Sequence, residues 1–390
     1  MSRLLFGVET EFAFTALDRS GSALDRTAYV PQLLEFVQRR LPHLHGYDPC
    51  DAYLSNGSRL YMDCGRHPEW STPECSTPEE VVKYVRAGER VLAQAARDLQ
   101  DSDSTVARAW LFKCNVDYFN TGSTWGSHES YLHRQQRQTQ LTKQLIPHLV
   151  SRVIFSGAGG LNPKSPGIEF VLSPRVAHLE KEVSMGSTGE RGIYHTKDEA
   201  LSGTGYHRLH VISGESLCSH VADYLRVGTT ALIVKLVDAG LHPGEGVRLV
   251  TPLEAMRDYV ADAECVSRAA VIGGKTLSAV DIQRHYLGQV ERHADAPFMP
   301  RWAGEVCRRW REVLDALETD AASMTTLDWP IKRAVFTERA RRRGFAWQSL
   351  PTWNRVLRWL RDRLGERGQP AKMDVRLASA VLRYGVSLTD

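Results

Sequence analysis

The sequence predicts an α+β fold, an antiparallel β-sheet packed on helices, and three observations predict it. Several runs alternate apolar and polar residues with a period of two, as half-buried strands do. Amphipathic helical stretches, one with a recognisable cap, separate those runs. The segments between are rich in Gly, Ser and Pro, and no repeat of roughly 20 to 50 residues is visible.

In residues 3 to 14, Leu4, Phe6, Val8, Thr10, Phe12 and Phe14 point one way and Gly7, Glu9, Glu11 and Ala13 the other, so both glutamates share a strand face. Residues 59 to 63 repeat this, with Leu60 and Met62 inward and Arg59, Tyr61 and Asp63 opposite. Thr77-Pro78-Glu79-Glu80 reads as a helix start: a capping Thr, Pro at the first helical position, Glu at the third. Val81, Val85, Leu92, Ala95 and Leu99 follow on one face. In 110 to 117, Trp110, Phe112, Cys114 and Val116 are expected inward against Lys113, Asn115 and Asp117. Residues 156 to 167 and 184 to 192 read as loops, and a fourth strand sets Arg208 and His210 against Leu209 and Val211. Helices are expected at about 216 to 239, 278 to 293 and 301 to 318. A single core stops growing near roughly 250 to 300 residues. A catalytic unit over 1–320 and a smaller, basic, mostly helical region over 321–390 are therefore expected.

Hydrophobic content of 42% with 24% charged residues is that of a globular protein and excludes a disordered chain. No run approaches the roughly 18 apolar residues of a membrane span, and the first residues form too short an apolar run for a signal peptide, so a cytoplasmic protein without membrane contact is expected. The seven cysteines are odd in number and form no CxxC pair, which excludes a disulfide framework and a structural zinc site. Formal net charge is +3, yet residues 332 to 367 alone carry +8. Such a stretch suits nucleic acid, an acidic protein or an anionic cosubstrate, and equally a solvated helix face.

Alternate residues on a strand lie roughly 6.5 to 7 Å apart, so Glu9 and Glu11 repel unless a cation sits beside them. Hard divalent ions take oxygen ligands, and Mg²⁺ in nucleotide sites uses one or two carboxylates plus phosphate. Glu9, Glu11, Tyr61 and Glu69 supply such a set. Arg59 can hold phosphate through a bidentate fork, and Asp63 is a candidate base or nucleophile. His128 and Glu129, in GSHESY, are further metal candidates, and Arg208 and His210 share a strand face. A Glu-x-Glu strand is also compatible with a plain solvated face. Acid, amide and cation on one face of four strands favour a nucleotide cradle. No GxGxxG precedes a helix, and neither GxxxxGK[ST] nor GxSxG occurs.

These residues also carry a resemblance. GVETEF, NGSRLYMDCGRHPEWSTPEC, LFKCNVD with WGSHESYL, HTKDE with HRLHVI, and LDWPIKR resemble in order and spacing the motifs of the Pup ligase and Pup deamidase/depupylase family, over about residues 1 to 345. The resemblance implies a glutamine synthetase-like fold, an antiparallel sheet cradle binding ATP and Mg²⁺, with a smaller C-terminal domain. It implies Mg²⁺ at Glu9, Tyr61 and Glu69, ATP at Arg59 and Thr72, and Asp63 at the catalytic centre. Glu11, Glu129 and His210 join the metal candidates, and Arg208, Trp329 and Lys332 the nucleotide candidates. The implied activity is an ATP-dependent carboxylate-amine ligase that makes an amide or isopeptide bond through an acyl phosphate. Its partners would be an acidic ubiquitin-like modifier, or another carboxylate, and an amine acceptor. The alternative is a deamidase/depupylase-like amidohydrolase with nucleotide as cofactor. The chain departs from the family at Cys114-Asn115-Val116-Asp117 and at Asp198 to Gly203, and its basic C-terminal stretch is shortened. Arg with Trp353 and Trp359 there suits a non-catalytic nucleic-acid binder. Trp353, Val356, Leu357 and Leu360 at helical spacing favour a core-facing stripe instead, and nucleic acid is not the expected partner.

Overall fold

The computed structural model describes residues 4–342, apart from 47, 119–121, 135–137, 166–168, 187–188 and 197–204. The Trp-containing stretch from 343 onward and the departure at 198–203 lie outside the described residues.

The chain opens with β1 (Phe6–Glu11), in which Phe6, Val8 and Thr10 are buried and the residues between are half-exposed, as the alternation predicts. The run breaks at Phe12 and resumes as β2 (Ala13–Leu17). Then come α1 (Arg26–Arg40), β3 (His43–His45), β4 (Ala52–Leu54), β5 (Arg59–Met62) and β6 (Pro68–Ser71). The predicted cap opens α2 (Pro78–Ser102): Thr77 accepts from the Glu80 backbone N–H and the Glu80 carboxylate accepts from the Thr77 N–H. All five residues expected on its inner face are buried. After it follow β7 (Arg108–Phe112), β8 (Ser127–His133), α3 (Gln138–Ser151), α4 (Val153–Ser156), β9 (Gly160–Leu161) and β10 (Phe170–Val171). A 3-10 turn at Pro174–His178 leads to β11 (Lys181–Ser184), β12 (Gly192–His195) and β13 (His207–Val211). The chain continues through α5 (His220–Asp238), α6 (Pro252–Ala261), β14 (Arg268–Ala270), β15 (Thr276–Ser278), α7 (Ala279–Glu291), α8 (Ala303–Asp320) and α9 (Asp328–Arg342).

Nine strands form one sheet in the order β11-β12-β13-β8-β1-β6-β5-β4-β3, antiparallel except for β11 beside β12. The main core lies behind it, where helices including α3, α5, α7 and α8 pack together, and α5 is apolar and buried nearly all round. A second core joins α1, α2, β2 and β7. One face of the sheet is thus sealed and the other open.

The run at 110 to 117 departs from expectation. β7 pairs with β2 in a separate two-stranded ribbon. Phe112 and Val116 are buried as expected, but so are Lys113 and Asn115: Lys113 bonds Glu89 at 2.5 Å, and the Asn115 side chain bonds Ser216. A Lys that finds a carboxylate partner can be interior, so its charge does not identify the solvent face. At the C-terminal side, Asp328 accepts from the N–H groups of Cys218 and Ser219, and Trp329 is fully buried. The first turn of α9 is therefore part of the packed core.

Candidate functional site

Strand register assembles the site. Glu11 lies opposite Glu69, and Glu69 opposite Tyr61; Glu9 lies opposite Ser71 and His128, and Ser71 opposite Arg59. Directly paired residues share a sheet face, so one open face collects carboxylates, a phenol, imidazoles and a guanidinium. All of these but Arg59 and Ser71 border a cavity of about 550 Å³, whose wall includes Glu9, Glu11, Tyr61, Asp63, His67, Glu69, His128, Arg175, Arg191 and His210.

Its polar groups interlock. The Tyr61 hydroxyl donates to Glu9 Oε2 at 3.0 Å, and His210 Nε2 lies 3.0 Å from Glu9 Oε1. Arg208 Nη2 is 3.1 Å from His210 Nδ1. Since Arg only donates, Nδ1 is the acceptor in that contact, and Nε2 is the ring atom that faces Glu9. Three sets of ligand atoms lie within 4.8 Å of one another: Glu9, His128 and His210; Glu11, Glu69 and His128; Glu11, Asp63 and His67.

Electrostatics follow from that crowding. Burial, then the neighbouring Glu9 and Glu11 charges, push the Glu69 carboxyl well above its usual range. Burial raises the Glu11 carboxyl despite Arg175 and the Gly126 N–H. Burial would raise Glu9 too, but the His210 hydrogen bond and nearby cations outweigh it and hold that carboxyl low. Burial pushes the His128 imidazole down to about 3, leaving it neutral at pH 7 and able to act as a ligand. A carboxylate cluster with too little positive charge fits a divalent cation, and its oxygen donors suit Mg²⁺.

The remaining candidates fall in different places. Asp63 stands at the cavity wall beside His67. Arg59 shares the face but is already engaged, bidentate to Asp51 at 2.7 Å and stacked 4.1 Å from the Tyr61 ring. Thr72 Oγ1 accepts from the Val8 N–H at 3.0 Å. Glu129 does not join the site. It follows His128 on β8, so its side chain takes the opposite face, where it is fully buried and bidentate to Arg152 at 2.6 and 2.8 Å. Trp329 donates to Ile154 O within the core and Lys332 reaches Gly159 O at 3.4 Å; neither lines the cavity. Sequence reasoning missed His67, Arg175 and Arg191. Arg175 is 3% exposed, and its Nε and Nη1 have no partner among the described residues. It sits in the 3-10 turn, where no strand or helix period marks a face.

The family model described as Pup-ligase protein matches residues 4–359. Pup–protein ligase 1 of Rhodococcus erythropolis is 33% identical over 352 residues, 88% of this chain and 76% of its own length. The Pup deamidase/depupylase of Mycolicibacterium smegmatis is 36% identical over 301 residues, covering 76% of this chain and 59% of that protein. A crystal structure of the complex between the prokaryotic ubiquitin-like protein Pup and its ligase PafA superposes with a TM-score of 0.74 at 24% identity, covering 98% of this chain and 82% of that one. A structure of PafA in complex with ADP gives 0.68 at 24% identity, over 93% and 83%. The fold is the glutamine synthetase-like α+β architecture of that ligase. The chain belongs to the Pup-ligase family of enzymes.

Proposed function

We propose that this protein is an ATP- and Mg²⁺-dependent carboxylate-amine ligase that forms an amide or isopeptide bond through an acyl phosphate. The observation that carries the reading is the convergence of Glu9, Glu11, Glu69 and Tyr61 on one sheet face, with Asp63 at its rim. When bound, Mg²⁺ would offset the phosphate charge that keeps two anions apart. Glu9, Glu69 and Tyr61 would hold it, with Glu11, His128 and His210 within reach. Arg208 and Thr72 are candidates for the nucleotide, and Arg59 would have to share its fork with Asp51. Arg175 and Arg191 bring positive charge to the cavity wall, Arg175 beside Glu11.

In this reading a substrate carboxylate attacks the γ-phosphate of ATP and ADP leaves. An amine then attacks the acyl carbon and phosphate leaves. Asp63 would take the proton of the incoming ammonium group. The donor would be an acidic ubiquitin-like modifier or another carboxylate, a reading supported by the names of the relatives. We assign the chemistry to residues 1–320 and a docking role to the basic region 321–390. A ligase releases ADP in step with amide when given ATP, Mg²⁺, donor and amine. Asp63→Asn is expected to cut turnover to a small residual rate while magnesium-ATP binding stays measurable by calorimetry; wild-type turnover in that variant rejects the role of Asp63.

The identity to a deamidase/depupylase supports a second reading, hydrolysis of a side-chain amide with nucleotide as cofactor. Product without matching ADP would favour it.

A further inference from the structure

The turn between β5 and β6 is built more elaborately than a five-residue connection requires. Asp63 N–H donates to His67 O and Arg66 N–H to Asp63 O, both at 3.0 Å, so the backbone alone closes it. Arg66 adopts the left-handed region at φ 61°, uncommon for a residue with a Cβ. A Cβ on Gly65 would lie 2.6 Å from His67 Cε1 and 2.8 Å from His67 Nδ1, so only glycine lets the imidazole press against the turn. Trp125 packs on the same ring, centroids 5.4 Å apart. The ring is buried, and held there it meets Asp63: the His67 backbone N–H donates to Asp63 Oδ1 at 2.6 Å, and His67 Nδ1 lies 3.0 Å from Asp63 Oδ2.

An ionised carboxylate only accepts, so Nδ1 carries the hydrogen of that contact. One held oxygen leaves a carboxylate free to rotate about Cβ–Cγ, whereas two fix its plane. Each oxygen keeps a further lone pair, and both residues line the cavity.

We infer that His67 is the positioning residue of the reaction: its ring N–H fixes the plane of the Asp63 carboxylate, and His67 affects turnover only through Asp63. The inference rests on the proposed role of Asp63. It needs the ring donor, whereas a purely structural role needs only the ring's bulk against Gly65 and Trp125.

Two variants of the full chain separate these. His67→Phe keeps the bulk and removes the donor; His67→Asn restores an N–H near the position of Nδ1. For whichever turnover the protein performs, His67→Phe is expected to lower kcat about ten- to hundredfold, the scale of a misplaced reacting group. KM values and the calorimetric Kd for magnesium-ATP should stay within about twofold, and His67→Asn should recover kcat to within about fivefold of wild type. Added to Asp63→Asn, His67→Phe should lower the residual rate no further. The inference is overturned if His67→Phe keeps kcat within about threefold, if nucleotide Kd rises in step with the loss, or if the double variant is slower than Asp63→Asn alone. A readout independent of turnover is the His67 Nδ1–H proton resonance, expected downfield in the wild type and absent in Asp63→Ala. Its persistence in that variant also overturns the inference. Wild-type protein that makes no amide and no ADP rejects the ligase reading instead, and leaves the resonance test standing.

Discussion

Glu69 shows what a single residue contributes to the cavity. It is 5% exposed, sits opposite both Glu11 and Tyr61, and its raised carboxyl registers burial and then the charges beside it. Without a cation that carboxylate opposes folding. Glu69→Gln is therefore expected to raise the melting temperature of the metal-free protein by about 2 °C, the order of a 1 kcal/mol relief, and to abolish the further rise that Mg²⁺ gives the wild type. Differential scanning calorimetry with and without EDTA checks both. Glu9, Glu11 and Tyr61 were legible in the sequence because period-two alternation fixes which side chains share a strand face; Glu69 was reached through the motif that carries the resemblance, and the register places it opposite Glu11 and Tyr61. Glu129 was misread because chain adjacency to His128 is the wrong neighbourhood on a strand: consecutive residues face apart, and this one belongs to Arg152. Arg175 was illegible because a 3-10 turn carries no such period.

Helix α2 and the buried Glu129–Arg152 ion pair behind β8 set the stability of the elements around the site. The Thr77–Glu80 capping box satisfies N–H groups at the start of α2. Thr77→Ala is expected to cost about 1 kcal/mol in denaturant unfolding, with catalytic constants unchanged. Behind the sheet, Glu129 is held by Arg152, Tyr131 and the nearby Arg226. Burial opposes its ionisation, but the Arg152 and Arg226 charges win and its carboxyl sits below the ordinary 4.5. A depressed folded-state value means the pair's stability is fully present above the ordinary 4.5 and is lost as pH falls through the folded-state value. Glu129→Gln leaves Arg152 buried without its charge partner and is expected to cost about 3–5 kcal/mol near pH 7, a difference from wild type that shrinks below pH ~4.5. Equal destabilisation at all pH values would contradict the assignment. Helices α2, α5, α7 and α8 were read closely from caps and periodicity, whereas α1, α3, α4 and α6 were not read. The run at 110 to 117 was not, because Lys113 is interior only by virtue of Glu89, a partner 24 residues away in the chain.

At the scale of the molecule, a sheet with a sealed rear face and an open acidic front explains why a chain of net charge +3 can gather negative charge at one place. The α+β class followed from local patterns. The strand order, and the exclusion of β7 from the large sheet, depend on pairings distant in sequence that no local period encodes. The proposed function requires that the carboxylates of β1 and β6 together with Tyr61 hold a divalent cation on which a nucleoside triphosphate is bound. Calorimetric titration of the full chain with ATP, in Mg²⁺ and again in EDTA, tests it most directly. Saturable heat is expected in Mg²⁺, disappearing in EDTA and in a Glu9→Gln/Glu69→Gln double variant. Equal binding with and without the metal, or undiminished binding by the double variant, would contradict it.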